Sequence, residues 1–154
     1  MTRRSRQLSP ADPGARVDAG GTAWRLRALV AMGHDCTRLA SALQVTPGLV
    51  RRVVHGQART VTRIQHELTC QLFEAWWDKT PPLNTPAQRR ACAVALRQAS
   101  AAGWPAGAGL DDDQLDTPGY QPSCWYLSAT GTGTAPGFTP PQRRTRRHHG
   151  KEIA

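Results

Sequence analysis

The chain has 154 residues, with 20 lysines and arginines against 11 acidic residues and a formal net charge of +9. That length holds one domain of ordinary size, and such a field favours a polyanion, nucleic acid ahead of an anionic membrane. No stretch approaches the roughly 20 apolar residues of a membrane span, and the basic start at Arg3, Arg4 and Arg6 is followed by no apolar run of signal-peptide length, so a cytoplasmic protein is expected.

Arginine supplies 18 of the 20 cations and alanine is abundant. A GC-rich genome would encode both whatever the function, so arginine richness alone carries little weight. The four cysteines, Cys36, Cys70, Cys92 and Cys124, lie far apart and form no C-x-x-C pair. Neither a zinc ribbon nor a dithiol redox motif is visible, and reduced thiols are expected.

Residues 1–19 are rich in Pro, Gly, Ser and Arg and read as a disordered basic arm. A helix is predicted from a Thr22 cap to Met32, with Leu26, Leu29 and Val30 turned inward, Trp24 near its start and Gly33 ending it. Next comes the most informative segment, Cys36 to Val54. Leu39, Ala40 and Leu43 share one face of a first short helix, Val45 closes a turn, and Leu49, Val50 and Val53 form the matching face of a second.

Small Ala40 sits at the helix crossing, which suits the steep approach of a helix-turn-helix. Thr46 followed by Pro47 marks the second helix start: the hydroxyl caps orphan amides, and proline at the first helical position forfeits no hydrogen bond. The outward face then carries Thr46, Pro47, Gly48, Arg51, Arg52 and His55, the candidate DNA contacts. Gln44 occupies a turn position that favours glycine, because the backbone there tends to be left-handed.

His55-Gly56-Gln57-Ala58 reads as a stop. A long helix is predicted from Val61 or Thr62 to Trp77, with Ile64, Leu68, Leu72, Phe73 and Trp76 in a stripe that closes the core. The bulk of Leu72, Phe73, Trp76 and Trp77 also suggests a homodimer seam. The double proline Pro81-Pro82 breaks the chain, and Thr85-Pro86 opens a last helix to Ala102, ended by Gly103. Residues 104–154 read as a largely disordered tail, with an acidic linker at Asp111, Asp112, Asp113 and Asp116 and a basic terminus.

Four stretches resemble a group of helix-turn-helix proteins common in actinobacteria and their phages. They are Gly21-Thr22 with Arg25-Leu26-Arg27-Ala28-Leu29, the helix-turn-helix itself, Leu72-Phe73-Glu74 with Thr80-Pro81, and Gly103-Trp104-Pro105 with Asp111-Asp112. The resemblance covers roughly residues 17–122. It implies a DNA-binding regulator with its second motif helix in the major groove, Thr46, Pro47, Gly48, Arg51 and Arg52 as the recognition face, and Leu39, Ala40, Leu43, Val45, Val50 and Val53 as its packing. The chain departs from the group at Gln44 and at Ala106-Gly107-Ala108-Gly109-Leu110.

Other readings are weaker. The acidic run lacks the alternate ligands, glycine turn and distant glutamate of a calcium loop; it reads as a linker, or as a segment that folds back on the basic face. His148-His149 lacks Cys or carboxylate support for a metal. Gly131-Thr132-Gly133-Thr134 lacks the trailing lysine of a phosphate loop. Period-two alternation is confined to fragments near Cys124 to Leu127, and no recognisable RNA module is present.

The expectation is therefore an all-α domain of about five helices over residues 20–103 containing a helix-turn-helix, with disordered tails. Its expected function is a transcriptional regulator, by default a repressor, binding double-stranded DNA with no enzymatic activity, cofactor or metal. Arg38, Arg59, Arg143, Arg144, Arg146 and Arg147 are expected to add phosphate contacts. The alternative is a protein-interaction module of phage or mobile-element origin whose DNA affinity is only electrostatic.

Overall fold

A computed structural model of the protein describes residues 12–122. Five helices make up most of it: α1 (Gly20–Ala31), α2 (Cys36–Leu43), α3 (Pro47–Val54), α4 (Arg63–Trp76) and α5 (Pro86–Ala102). Two short strands, β1 (Arg16–Asp18) and β2 (Thr60–Thr62), pair antiparallel with Val17 opposite Val61. None of the described helices is long and apolar enough to cross a membrane.

α1 is the hub, packing against α3, α4 and α5, with Leu26, Ala28, Leu29 and Val30 sealed from solvent. Around it close Leu39, Ala40 and Leu43 of α2, Val50, Val53 and Val54 of α3, Phe73 of α4, and Ala95 and Ala99 of α5. Small residues face the hub on α5, so its backbone comes close even though Val94 and Leu96 stay exposed.

Local chemistry sets most helix ends. Asp35 accepts the Thr37 amide at the start of α2, and Thr46 accepts the Leu49 amide at the start of α3. Thr62 and Thr85 each form a capping box, with Gln65 and Gln88, at the starts of α4 and α5. Reciprocal bonding satisfies two orphan groups at each of these ends. Gly33 and Gly103, both at positive φ, follow α1 and α5.

The structure corrects four sequence expectations. Thr22 does not cap α1, which begins at Gly20; it is buried within the helix and its hydroxyl bonds His66 Nδ1 at 2.8 Å. Val61 lies in β2 rather than in the long helix, because its partner Val17 completes a ladder and Thr62 is needed as the cap. The arm read as disordered through residue 19 is instead held from residue 13, where the Pro13 carbonyl accepts the Ile64 amide at 3.2 Å; the Ala15 carbonyl then accepts the Arg63 amide at 2.8 Å and β1 follows.

The tail read as disordered from residue 104 packs on the domain as far as Pro122. Leu115 and Pro122 are buried, a 3-10 turn at Gly107–Gly109 sits beneath Phe73, and Trp24 Nε1 donates to the Tyr120 carbonyl.

Candidate nucleic-acid interface

The interface is built on the α2–α3 pair. α2 ends on Gln44, whose φ of 55° and ψ of 42° are left-handed, while the Val45 amide reaches back to the Ala40 carbonyl at 3.0 Å. That closure reverses the chain within one residue of the Thr46 cap and allows Ala40, almost fully buried, to admit α3. Leu39, Leu43, Val50 and Val53 form the shared seam, with Val45 and Leu49 at its edge.

With that face turned inward, α3 presents Gly48, Arg51 and Arg52 to solvent, with Thr46 just before its first turn. Pro47 is half-buried at the first helical position, where its ring stiffens the start. The side chains of Arg51 and Arg52 make no hydrogen bond or ion pair among the described residues. A methyl group at Gly48 would meet nothing within 4 Å, so packing inside the molecule does not call for glycine there.

His55 is exposed but tethered: Nε2 lies 3.2 Å from the Gln98 amide nitrogen on α5, and its ring centroid is 5.8 Å from that of Trp104. The position predicted to touch DNA is thus also a link from α3 to α5. Thr46, Gly48, Arg51 and Arg52 are all exposed, the last three on the side of α3 turned away from Val50, Val53 and Val54.

Arg27, which sequence reasoning did not single out, holds the far end of this helix. Its Nε donates to the Val54 carbonyl at 2.7 Å, and its guanidinium lies 4.4 Å from the Trp24 ring centre and 5.7 Å from that of Trp104. Burial pulls the Arg27 pKa down. A cation bonded to a last-turn carbonyl also answers the negative end of the helix dipole. The i, i+3 spacing of Trp24 and Arg27 was a readable hint, whereas the third partner, Trp104, is distant in sequence.

The expected auxiliary cations divide. Arg59 is exposed between α3 and β2. Arg38 is half-buried, with Nε 3.3 Å from His34 Nδ1 and its guanidinium 4.7 Å from the centre of Trp76. Arg143, Arg144, Arg146 and Arg147 lie outside the described residues, as do Arg3, Arg4 and Arg6, His148-His149 and the Gly131 to Thr134 segment.

The four residues of the expected dimer seam differ in exposure. Phe73 is buried under Gly107, and Trp76 is occupied by His34, whose ring stacks on it at 4.9 Å. Leu72 packs at the core margin, and of the four residues only Trp77 is exposed. The folding-back of the acidic run takes another form. Asp116 forms a two-pronged pair with Arg25 of α1, at 2.6 and 3.1 Å.

That pair belongs to a polar cluster on the α1–α4 side. His66 Nε2 lies 3.6 Å from both Asp116 and the Cys70 sulfur. The Arg25 hydrogen bond, opposed by desolvation and aided by the Arg25 and His66 charges, holds the Asp116 carboxyl below its usual range. Burial pushes the Cys70 thiol up, so the sulfur stays protonated and packs rather than attacks. No family model matches the chain, and neither does any curated protein or solved structure.

Proposed function

We propose that the protein is a cytoplasmic, sequence-specific regulator of transcription that lays α3 in the major groove of double-stranded DNA, acting as a repressor by occlusion. The observation carrying this reading is the open face of α3. Two arginines whose side chains have no partner among the described residues stand beside a glycine that the packing does not require, on a helix fixed at both ends by Thr46 and Arg27.

Arginine forks match guanine O6 and N7, and a bare backbone at Gly48 permits close approach to a groove wall or phosphate. The resemblance to actinobacterial and phage helix-turn-helix proteins points the same way. Two features favour the alternative of a protein-interaction module, Gln44 and the bulky Trp76-Trp77 pair; Gln44 supplies the left-handed turn and Trp76 stacks on His34, while Trp77 is exposed. A homodimer on a palindromic site, with half-sites about one helical turn apart, is the arrangement to expect.

The test is selection of random duplex by the purified full chain, followed by binding of the Arg51→Ala/Arg52→Ala variant to the enriched and to scrambled sequences. The variant is expected to lose roughly 1–3 kcal/mol of site preference for each bidentate contact removed. Equal weakening on every sequence overturns the reading and leaves a merely electrostatic DNA affinity.

A further inference from the structure

We infer that the β1–β2 ladder is a second DNA-contacting element, in which Arg16 grips a backbone phosphate flanking the groove that α3 occupies; this rests on the DNA-binding reading of α3. The ladder is fastened to the end of α3. The Gly56 amide bonds Val53, the Gln57 amide bonds Arg52 at 2.8 Å, and the Arg59 carbonyl accepts the Ala19 amide just before β2 begins.

Alternation then sorts the side chains. Val61 is buried and its partner Val17 packs against the core, which leaves Arg16, Asp18, Thr60 and Thr62 on the outward face. There Arg16 is exposed yet held, with Nε 3.1 Å from the Thr60 hydroxyl and Nη2 2.9 Å from the Thr60 carbonyl.

A guanidinium offers five N–H donors. These two bonds, both to groups that carry no formal charge, leave three. The nearby carboxylate, Asp18, is turned to the Gly20 amide at 2.9 Å, and no ion pair joins it to Arg16 among the described residues. An exposed arginine fixed to its own strand, with its charge unneutralised, is pre-organised for an oxyanion and loses little side-chain freedom on binding one.

Arg59 stands one residue from Thr60, so one exposed cation follows Arg51 and Arg52 along the chain as it leaves α3, and the Arg16–Thr60 bonds set a second close to it. With α3 in a groove roughly 12 Å wide, the segment leaving the helix end crosses toward the flanking sugar-phosphate strand.

The experiment measures binding of the full chain to random-sequence duplex across a salt series, for wild type, Arg16→Ala, Arg16→Gln and Arg16→Lys, each checked for an unchanged melting transition. Loss of one phosphate contact is expected to reduce the slope of log affinity against log salt by about 1 in Arg16→Ala, while Arg16→Lys keeps the slope. Arg16→Gln keeps an N–H for the Thr60 carbonyl without the charge and gives the same reading if the alanine variant fails to fold.

An unchanged slope in the folded neutral variants overturns the clamp, even where wild type selects a sequence. A reduced slope in a protein that selects no sequence upholds the clamp and overturns the specific regulator. No binding of wild type to duplex overturns both.

Discussion

Gln44 is the only residue other than glycine with positive φ among those described, and its exposed side chain removes any packing reason for it to be glutamine. A left-handed backbone costs an L residue about 1 kcal/mol that glycine avoids. Gln44→Gly is therefore expected to raise unfolding stability by several tenths to about 1 kcal/mol, partly offset by the greater chain entropy of glycine. Urea denaturation measures this, and a lower midpoint contradicts the turn as described. The position was legible in the sequence because the conflict is local: a short apolar helix, a turn and the Thr46-Pro47 start lie within a few residues. Nothing local announced Arg16, and Trp24 alone hinted at Arg27, because both bond partners far along the chain.

At the scale of elements, α3 is as well defined as its two ends. Arg27 ties the Val54 end of α3 to α1 by one charged hydrogen bond and two aromatic faces. Replacing it by methionine keeps much of the bulk and is expected to cost about 2 kcal/mol of stability, the scale of a hydrogen bond from a charged group plus a cation–π contact. Denaturant unfolding checks it, and a loss within about 0.5 kcal/mol, the size of an ordinary surface change, contradicts the clamp. The five helices were readable because caps and periodicity act within a turn or two. The start of α4 was also written in Thr62 and Gln65, a capping-box spacing that fixes the boundary better than the apolar stripe did. The three-residue strands were not readable, because each exists only through pairing across 44 positions, Val17 to Val61.

Over the whole molecule, the segment after α5 completes the domain: Leu115 is buried and Asp116 anchors to Arg25, a contact that composition alone, dominated by glycine and aspartate, did not reveal. The charges set the acid response. Burial pulls the His34 pKa below its ordinary 6.5, with the Arg38 charge adding to that and the Lys79 carbonyl and Asp35 opposing it. His34 Nε2 donates to the Lys79 carbonyl while Nδ1 accepts from Arg38, a pattern the neutral ring satisfies. Because the unfolded chain takes the proton first, this contribution is complete above the ordinary value and is lost as pH falls below it toward the depressed native pKa. Asp116 acts with the same sign at lower pH, its contribution present above the ordinary 3.8 and lost as pH falls through the depressed value. Wild-type stability measured from about pH 7.5 down to about pH 5.5 should fall more steeply than that of His34→Gln, which keeps a donor and an acceptor but does not titrate; equal slopes contradict the assignment. The central claim, that α3 reads sequence with Arg51 and Arg52, is tested most directly by the affinity gap between a selected duplex and its scrambled counterpart, measured for wild type and for the double alanine variant at one salt concentration. The account predicts a wide gap that narrows by about 1–3 kcal/mol per lost contact; a gap of the same width in both proteins, or none in wild type, contradicts it.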